Sequence, residues 1–276
     1  MRPISFLSDF GTTDEFVGVV HGVIARVAPE IRVIDITHGI ERGNVRSGAL
    51  ALLRAIQYLP NGVALAVVDP GVGTGRRAIA VRTGWGFFVG PDNGLLAPAV
   101  AMVGGADAFV SLEAAEFQLP REGTTFDGRD VFAPAAAVLA SGEAQLSDLG
   151  PELDPSEVTP LLLPLVEHSE GVVAGEVLWI DSFGNAQTNV APDDLRLVGL
   201  EPGDPVLVRI GSIEHELPWM VAYGDGTGAV IHVDSYGLMA IAVSAGRADD
   251  TFNISQGLSI GFRASVARRT LGLIAD

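Results

Sequence analysis

Six apolar residues in a row, Val63 to Val68, run directly into Asp69-Pro70-Gly71, and a glycine-rich turn then leads to Arg76 and Arg77. A short unbroken apolar run containing three valines reads as a buried strand, and Asp-Pro-Gly forces a turn at its carboxyl end. In layered α/β folds that edge is where ligands bind, so the run sets Asp69 and Arg76 where chemistry is usually done. The same residues also make a plain turn with two solvated arginines.

The segments around this strand alternate in period. Residues 4–7, 31–36, 63–68, 78–82 and 86–89 read as strands, and residues 16–27, 45–58, 95–103 and 133–141 as helices. Such alternation predicts an α/β layered sheet. The pattern changes near residue 165. Residues 150–164, rich in proline and acidic side chains, read as a linker or extended crossover. Short strands at 175–180, 205–210, 229–233 and 238–242 follow at regular spacing, as in a small barrel or sandwich. We therefore expect an N-terminal α/β domain over 1–165 and a β-domain over 171–276.

Composition removes several chemistries. The chain has no cysteine, and its 17 basic residues are all arginine. Thiol nucleophiles, disulfides and thiolate metal sites are excluded, as are Schiff-base lysines, pyridoxal chemistry and a Walker lysine. A net charge of -17 argues against nucleic acid or an anionic membrane as partner. The N-terminus shows no leader pattern and no apolar run is long enough to cross a bilayer, so a cytoplasmic location is expected. His21, His38, His168, His215 and His232 show neither HxH nor HxxxH spacing, so no metal site is expected.

Four polar clusters interrupt the apolar pattern: residues 8–14, 69–77, 123–130 and 181–189. Asp9, at the end of the first strand, suits a ribose diol or the N-cap of the next helix. Asp127 and Asp130 precede the alanine-rich helix, which Asp130 would cap in a purely structural reading. Phe183 offers a face for a flat ring and Asn185 an edge for hydrogen bonding; a solvated turn is the alternative.

Taken together the clusters are specific. Ser8-Asp9-Phe10-Gly11, Val68-Asp69-Pro70-Gly71-Val72-Gly73-Thr74, Pro91-Asp92-Asn93-Gly94, Phe126-Asp127-Gly128-Arg129-Asp130 and Asp181-Ser182-Phe183-Gly184-Asn185 resemble, in order, the motifs of the S-adenosyl-L-methionine hydroxide adenosyltransferases, relatives of the fluorinase and chlorinase. The resemblance implies an N-terminal α/β domain, a C-terminal β-barrel, and a homotrimer whose sites lie at subunit interfaces. It implies S-adenosyl-L-methionine as substrate, adenosine and methionine as products, and no cofactor. By position, Asp9 would hold the ribose, Phe183 and Asn185 would contact the adenine, Phe126 would be a further substrate-binding residue, Asp181 and Ser235 would hold the methionine end, and Asp69 and Arg76 would handle the attacking water. Two positions depart from the pattern: Asp127 stands where the hydroxide-forming members carry histidine, and Tyr236 where the halogenases carry arginine. The halogenases have tyrosine at Asp69; a carboxylate there would repel a halide by about a few kcal/mol at short range. The expected reaction is therefore hydrolysis, with a halide-using synthase and a non-catalytic nucleoside-binding protein as alternatives.

Overall fold

A computed structural model describes residues 1–120, 123–221 and 228–265. The chain divides into two compact units, Met1–Leu162 and Leu163–Asp276.

The first unit contains strands β1 (Ile4–Ser8), β2 (Val33–Thr37), β3 (Val63–Val67), β4 (Ala78–Thr83), β5 (Phe87–Pro91) and β6 (Ala106–Ser111), with helices α1 (Phe16–Val27), α2 (Val45–Ile56), α3 (Ala97–Met102) and α4 (Ala133–Ser141). The sheet order is β2-β1-β3-β5-β4-β6. The four strands from β2 to β5 are mutually parallel, and β4 runs antiparallel to both of its neighbours. The apolar run of β3 explains the layering, because alternate residues face opposite sides. Val63, Leu65 and Val67 pack with α1 and α4, while Ala64, Ala66 and Val68 pack with α2 and α3. A strand covered on both faces carries no polar residue.

Local signals set the helix ends. Asn44 caps α2, its side chain accepting the Ser47 N–H at 3.0 Å. α1 ends at Val27, and its C-cap Ala28 directly precedes Pro29. α4 is buried from Ala133 to Ala140; its alanines let the helix lie close against the sheet. Neither aspartate offered as a cap serves as one. Glu15 occupies the N-cap of α1, so Asp9 is not its cap. Asp130 lies within a π-helical turn, Gly128–Phe132, that runs straight into α4, and it pairs with Arg129 instead.

Residues 150–162 form an ordered crossover packed on this unit. Asp92 accepts the Thr159 N–H at 2.7 Å and pairs with Arg77 at 2.8 Å. β4 and β5 are joined by a tight turn in which Thr83 and Gly86 exchange backbone hydrogen bonds.

The second unit holds β7 (Glu167–Ser169), β8 (Val172–Ile180), β9 (Ala186–Thr188), α5 (Pro192–Leu197), β10 (Pro205–Ile210), β11 (Ile213–Pro218), β12 (Ala229–Val233), β13 (Met239–Val243), α6 (Ala248–Phe252) and β14 (Ser259–Ala264). Its antiparallel sheet runs β11-β10-β14-β8-β9-β13-β12, with β7 beside β8. A bridge between Trp219 and Ile231 brings the two ends together. The sheet is thus a nearly closed barrel, not a sandwich, around Val177, Val208, Trp219, Ile241 and Phe262. Among the described residues no helix is long and apolar enough to cross a membrane.

Candidate active site

The topology of the first sheet fixes where a site forms. From β1 the chain moves outward to β2 and then returns to the other side of β1 as β3. Parallel neighbours whose connections leave in opposite directions open a crevice at their carboxyl ends. Asp9 follows β1, and Asp69 follows β3 by two residues. The register pairs Ser8 with Val67, and the Asp9 N–H donates to the Val67 carbonyl at 3.3 Å. Both carboxylates therefore stand at the same edge.

Asp9 Oδ2 accepts the Gly43 N–H at 2.7 Å, leaving Oδ1 without a hydrogen bond among the described residues. Beyond Asp69 the chain turns tightly. Thr74 Oγ1 donates to the Gly71 carbonyl at 2.6 Å and accepts the Arg76 N–H at 3.3 Å, which folds the arginine back over the aspartate. Asn93 Nδ2 donates to the Val68 carbonyl at 2.9 Å, anchoring the backbone just before Asp69.

Arg76 joins the second and third clusters. Its Nε donates to Asp69 Oδ1 at 3.0 Å and its Nη2 to Asp69 Oδ2. The same Nη2 lies 2.7 Å from Asp127 Oδ2. One guanidinium thus serves two carboxylates, and all three side chains are nearly buried: 9% exposed for Arg76, 5% for Asp69 and 12% for Asp127. Arg76 Cζ also lies 5.3 Å from the centre of the Phe132 ring. Burial pushes the Asp69 carboxyl above its ordinary value, the bonds and charge of Arg76 oppose this, and the charge of Asp127 adds to the rise.

Aromatic packing delivers Asp127 to this place. Phe126 meets Phe16 edge-on at 5.0 Å and Phe10 at 5.8 Å between ring centres, so the third cluster is pinned to the loop that follows Asp9. Gly128 permits the contact, since a Cβ there would lie 2.8 Å from Phe10 Cζ. A polar cavity of about 360 Å³ borders Arg76 and Asp127, with Thr74, Ser111 and Glu113 in its wall.

The remaining predicted residues belong to the second unit. Asp181 organises the turn between β8 and β9: Oδ1 accepts the Phe183 and Asn185 N–H groups at 2.9 and 2.8 Å, and Oδ2 accepts Asn185 Nδ2 at 2.9 Å. Phe183 is 74% exposed, an aromatic face with little of the chain against it. Gly184 completes the turn at φ +86°, where a Cβ would lie 2.6 Å from Arg247 Cβ. Ser235 is on a different turn, between β12 and β13, held by Asp234, which accepts the Tyr236 and Leu238 N–H groups. The pairing of β9 with β13 puts the two turns at opposite ends of β9.

Two features lay beyond sequence reasoning. Asn93 and Asp92 belong to a motif noted in the sequence, but their anchoring roles depend on long-range neighbours. His21 and His38, dismissed on spacing, converge on Asp35; residues on different elements carry no spacing signal.

Residues 4–150 match the SAM hydroxide adenosyltransferase N-terminal domain, and residues 175–261 match the C-terminal domain of the same name. A Salinispora arenicola (strain CNS-205) protein named (R)-S-adenosyl-L-methionine hydrolase is 44% identical over 256 residues, covering 92% of this chain and 95% of the relative. A protein of Actinopolyspora mzabensis named fluorinase is 29% identical over 290 residues, 94% of this chain and 96% of its own. An uncharacterized conserved protein from Thermotoga maritima has a crystal structure that superposes with a TM-score of 0.85 at 38% identity, covering 94% of this chain and 99% of that one.

Proposed function

The chain belongs to the SAM hydroxide adenosyltransferase family, and from that premise we propose that it hydrolyses S-adenosyl-L-methionine to adenosine and L-methionine. The observation that carries the reading is the buried Asp69–Arg76–Asp127 group at the carboxyl edge of β3.

The reaction is an in-line displacement. Water attacks ribose C5′, the C5′–sulfur bond breaks, and its electron pair leaves with sulfur, giving neutral methionine and one proton. No acid is required for the leaving group. Asp69 accepts the proton of the attacking water, and its raised basicity suits the task. Arg76 fixes the orientation of that carboxylate by two parallel hydrogen bonds. Asp127 takes the place of the family's histidine and, by its charge, keeps Asp69 basic. Asp9 holds the ribose through its open Oδ1. Phe126 and its aromatic neighbours shape the nucleoside end of the crevice.

Phe183 stacks on the adenine and Asn185 bonds its edge. Asp181, with acceptor capacity remaining on Oδ2, and Ser235 take the methionine ammonium and carboxylate. These residues act from the neighbouring subunit of a homotrimer, so each site draws on both kinds of unit. The Asp69 carboxylate disfavours a halide at the same place.

The deciding experiment offers the protein each sulfur epimer of S-adenosyl-L-methionine, with and without chloride, and separates the products. Adenosine with methionine in both buffers supports hydrolysis. A 5′-chloro-5′-deoxyadenosine product would replace the reading with halogenation, and binding without turnover would replace it with a sensor.

A further inference from the structure

A second group of ionisable side chains lies in the first unit outside the site just described. His21 projects from α1, Asp35 from β2, and His38 follows β2 directly. β2 is the edge strand beside β1, and the fold brings all three together. His21 Nε2 lies 2.8 Å from Asp35 Oδ1, and His38 Nε2 lies 3.1 Å from the same oxygen. The three ligating atoms are all within 4.8 Å of one another.

The two imidazoles are held differently. The His38 side chain is 6% exposed, and its Nδ1 is 2.7 Å from Ser8 Oγ. Ser8 Oγ also accepts the Phe10 N–H at 3.3 Å. With Nδ1–H donating to that hydroxyl, Nε2 carries the lone pair that a metal would take. That Nε2 is buried and has no hydrogen bond of good alignment, although it faces Asp35. A histidine whose one nitrogen is locked by a hydrogen bond while the other points at a carboxylate and a second histidine has the build of a metal ligand. Asp35 and His21 are 45% and 35% exposed at the side chain, so an ion has a route in and water can complete its shell.

We propose that His21, Asp35 and His38 bind one divalent transition-metal ion of the Zn²⁺, Co²⁺ and Ni²⁺ class. Two imidazoles and one carboxylate suit such ions, whereas Mg²⁺ and Ca²⁺ call for oxygen ligands throughout. Bonds of about 2.0–2.2 Å place tetrahedral ligand atoms roughly 3.4 Å apart, so the two short separations need open only slightly, and the partly exposed His21 can swing to meet the third. The ion would tie α1 to the ends of β1 and β2. The His38 carbonyl accepts the Gly11 N–H at 2.8 Å, so the same residue also holds the loop after Asp9. The site is a brace beneath that loop and takes no part in the displacement at C5′. The inference does not depend on the hydrolase reading.

The test uses the untagged full-length chain, stripped with a chelator and titrated with CoCl₂ near neutral pH. The expected result is one Co²⁺ per chain with visible d–d absorption, displaced by Zn²⁺, and a thermal midpoint that rises with added Zn²⁺. His21→Ala and Asp35→Asn, each checked for folding by circular dichroism, should weaken binding about tenfold or more. Absence of both the Co²⁺ spectrum and the Zn²⁺-dependent midpoint in the wild-type chain overturns the proposal whatever the variants do. So does binding unchanged in the folded variants, which would move the ion elsewhere, for example to His168 and Asp194, 3.0 Å apart.

Discussion

Asp69 and Asp127 share the Arg76 guanidinium, and their roles separate by pH. In the proposed mechanism Asp69 must be ionised to accept a proton, so the rate should fall as pH drops through its folded pKa, which burial and the Asp127 charge hold above the ordinary carboxylate value. Asp127→Asn removes the raising charge and leaves Arg76 to Asp69 alone. Both changes lower the Asp69 pKa, so the acidic limb of the pH–rate profile should move to lower pH. A limb that stays in place or moves up contradicts the assignment. Asp69→Asn and Arg76→Ala should each reduce adenosine release by about 10²–10⁴-fold; if both keep wild-type turnover, the water is handled elsewhere. The sequence made Asp69 and Arg76 legible because they stand seven positions apart across one glycine-rich turn. It showed Asp127 only by its resemblance to a motif, since Asp127 lies 51 positions beyond Arg76. Asp181 was legible as a polar turn residue, but not that its carboxylate binds three groups of its own loop.

Elements carry these residues to their places. The π-helical turn Gly128–Phe132 lets Phe126 reach Phe10 and Phe16 while Asp127 reaches Arg76. Gly128→Ala would drive a Cβ into the Phe10 ring. Overpacking of this kind costs about 1–3 kcal/mol, which urea unfolding will measure, and adenosine release should fall with it because the Asp127 loop must shift. In the barrel, Gly184→Ala meets positive φ and the Arg247 side chain together. It should weaken substrate binding, read as a raised KM, more than it changes the chemical step. Element positions followed from period and from punctuation such as the proline after α1; Asn44 before α2 and the left-handed Gly142 after α4 are local signals of the same kind that the structure brings out. Short strands such as β9, with three residues, have too few positions to show alternation. The π turn Gly128–Phe132 carries no punctuation that separates it from the helix it runs into.

At the scale of the molecule, the prediction concerns assembly. Light scattering on the purified chain should give the mass of a trimer. In the proposed site Asp69→Asn should disable the half supplied by the first unit and Asn185→Ala the half supplied by the second; a mixed, reassembled population of the two should then recover adenosine release beyond the sum of the separate variants, because some sites combine intact halves. No recovery in confirmed mixed trimers would confine each site to one subunit. By itself the sequence determined the layered α/β first half, the β-rich second half and the exclusion of thiol and lysine chemistry, because period, punctuation and residue type are local properties. It also marked the polar clusters at strand ends. Tertiary structure alone decided that β1 and β3 are neighbours across a switch point, that one arginine serves carboxylates from two loops, that the second sheet nearly closes through Trp219 and Ile231, and that His21 and His38 meet over Asp35. Each of those depends on strand order and on packing between residues far apart in the chain, and no periodicity along the chain encodes such proximity.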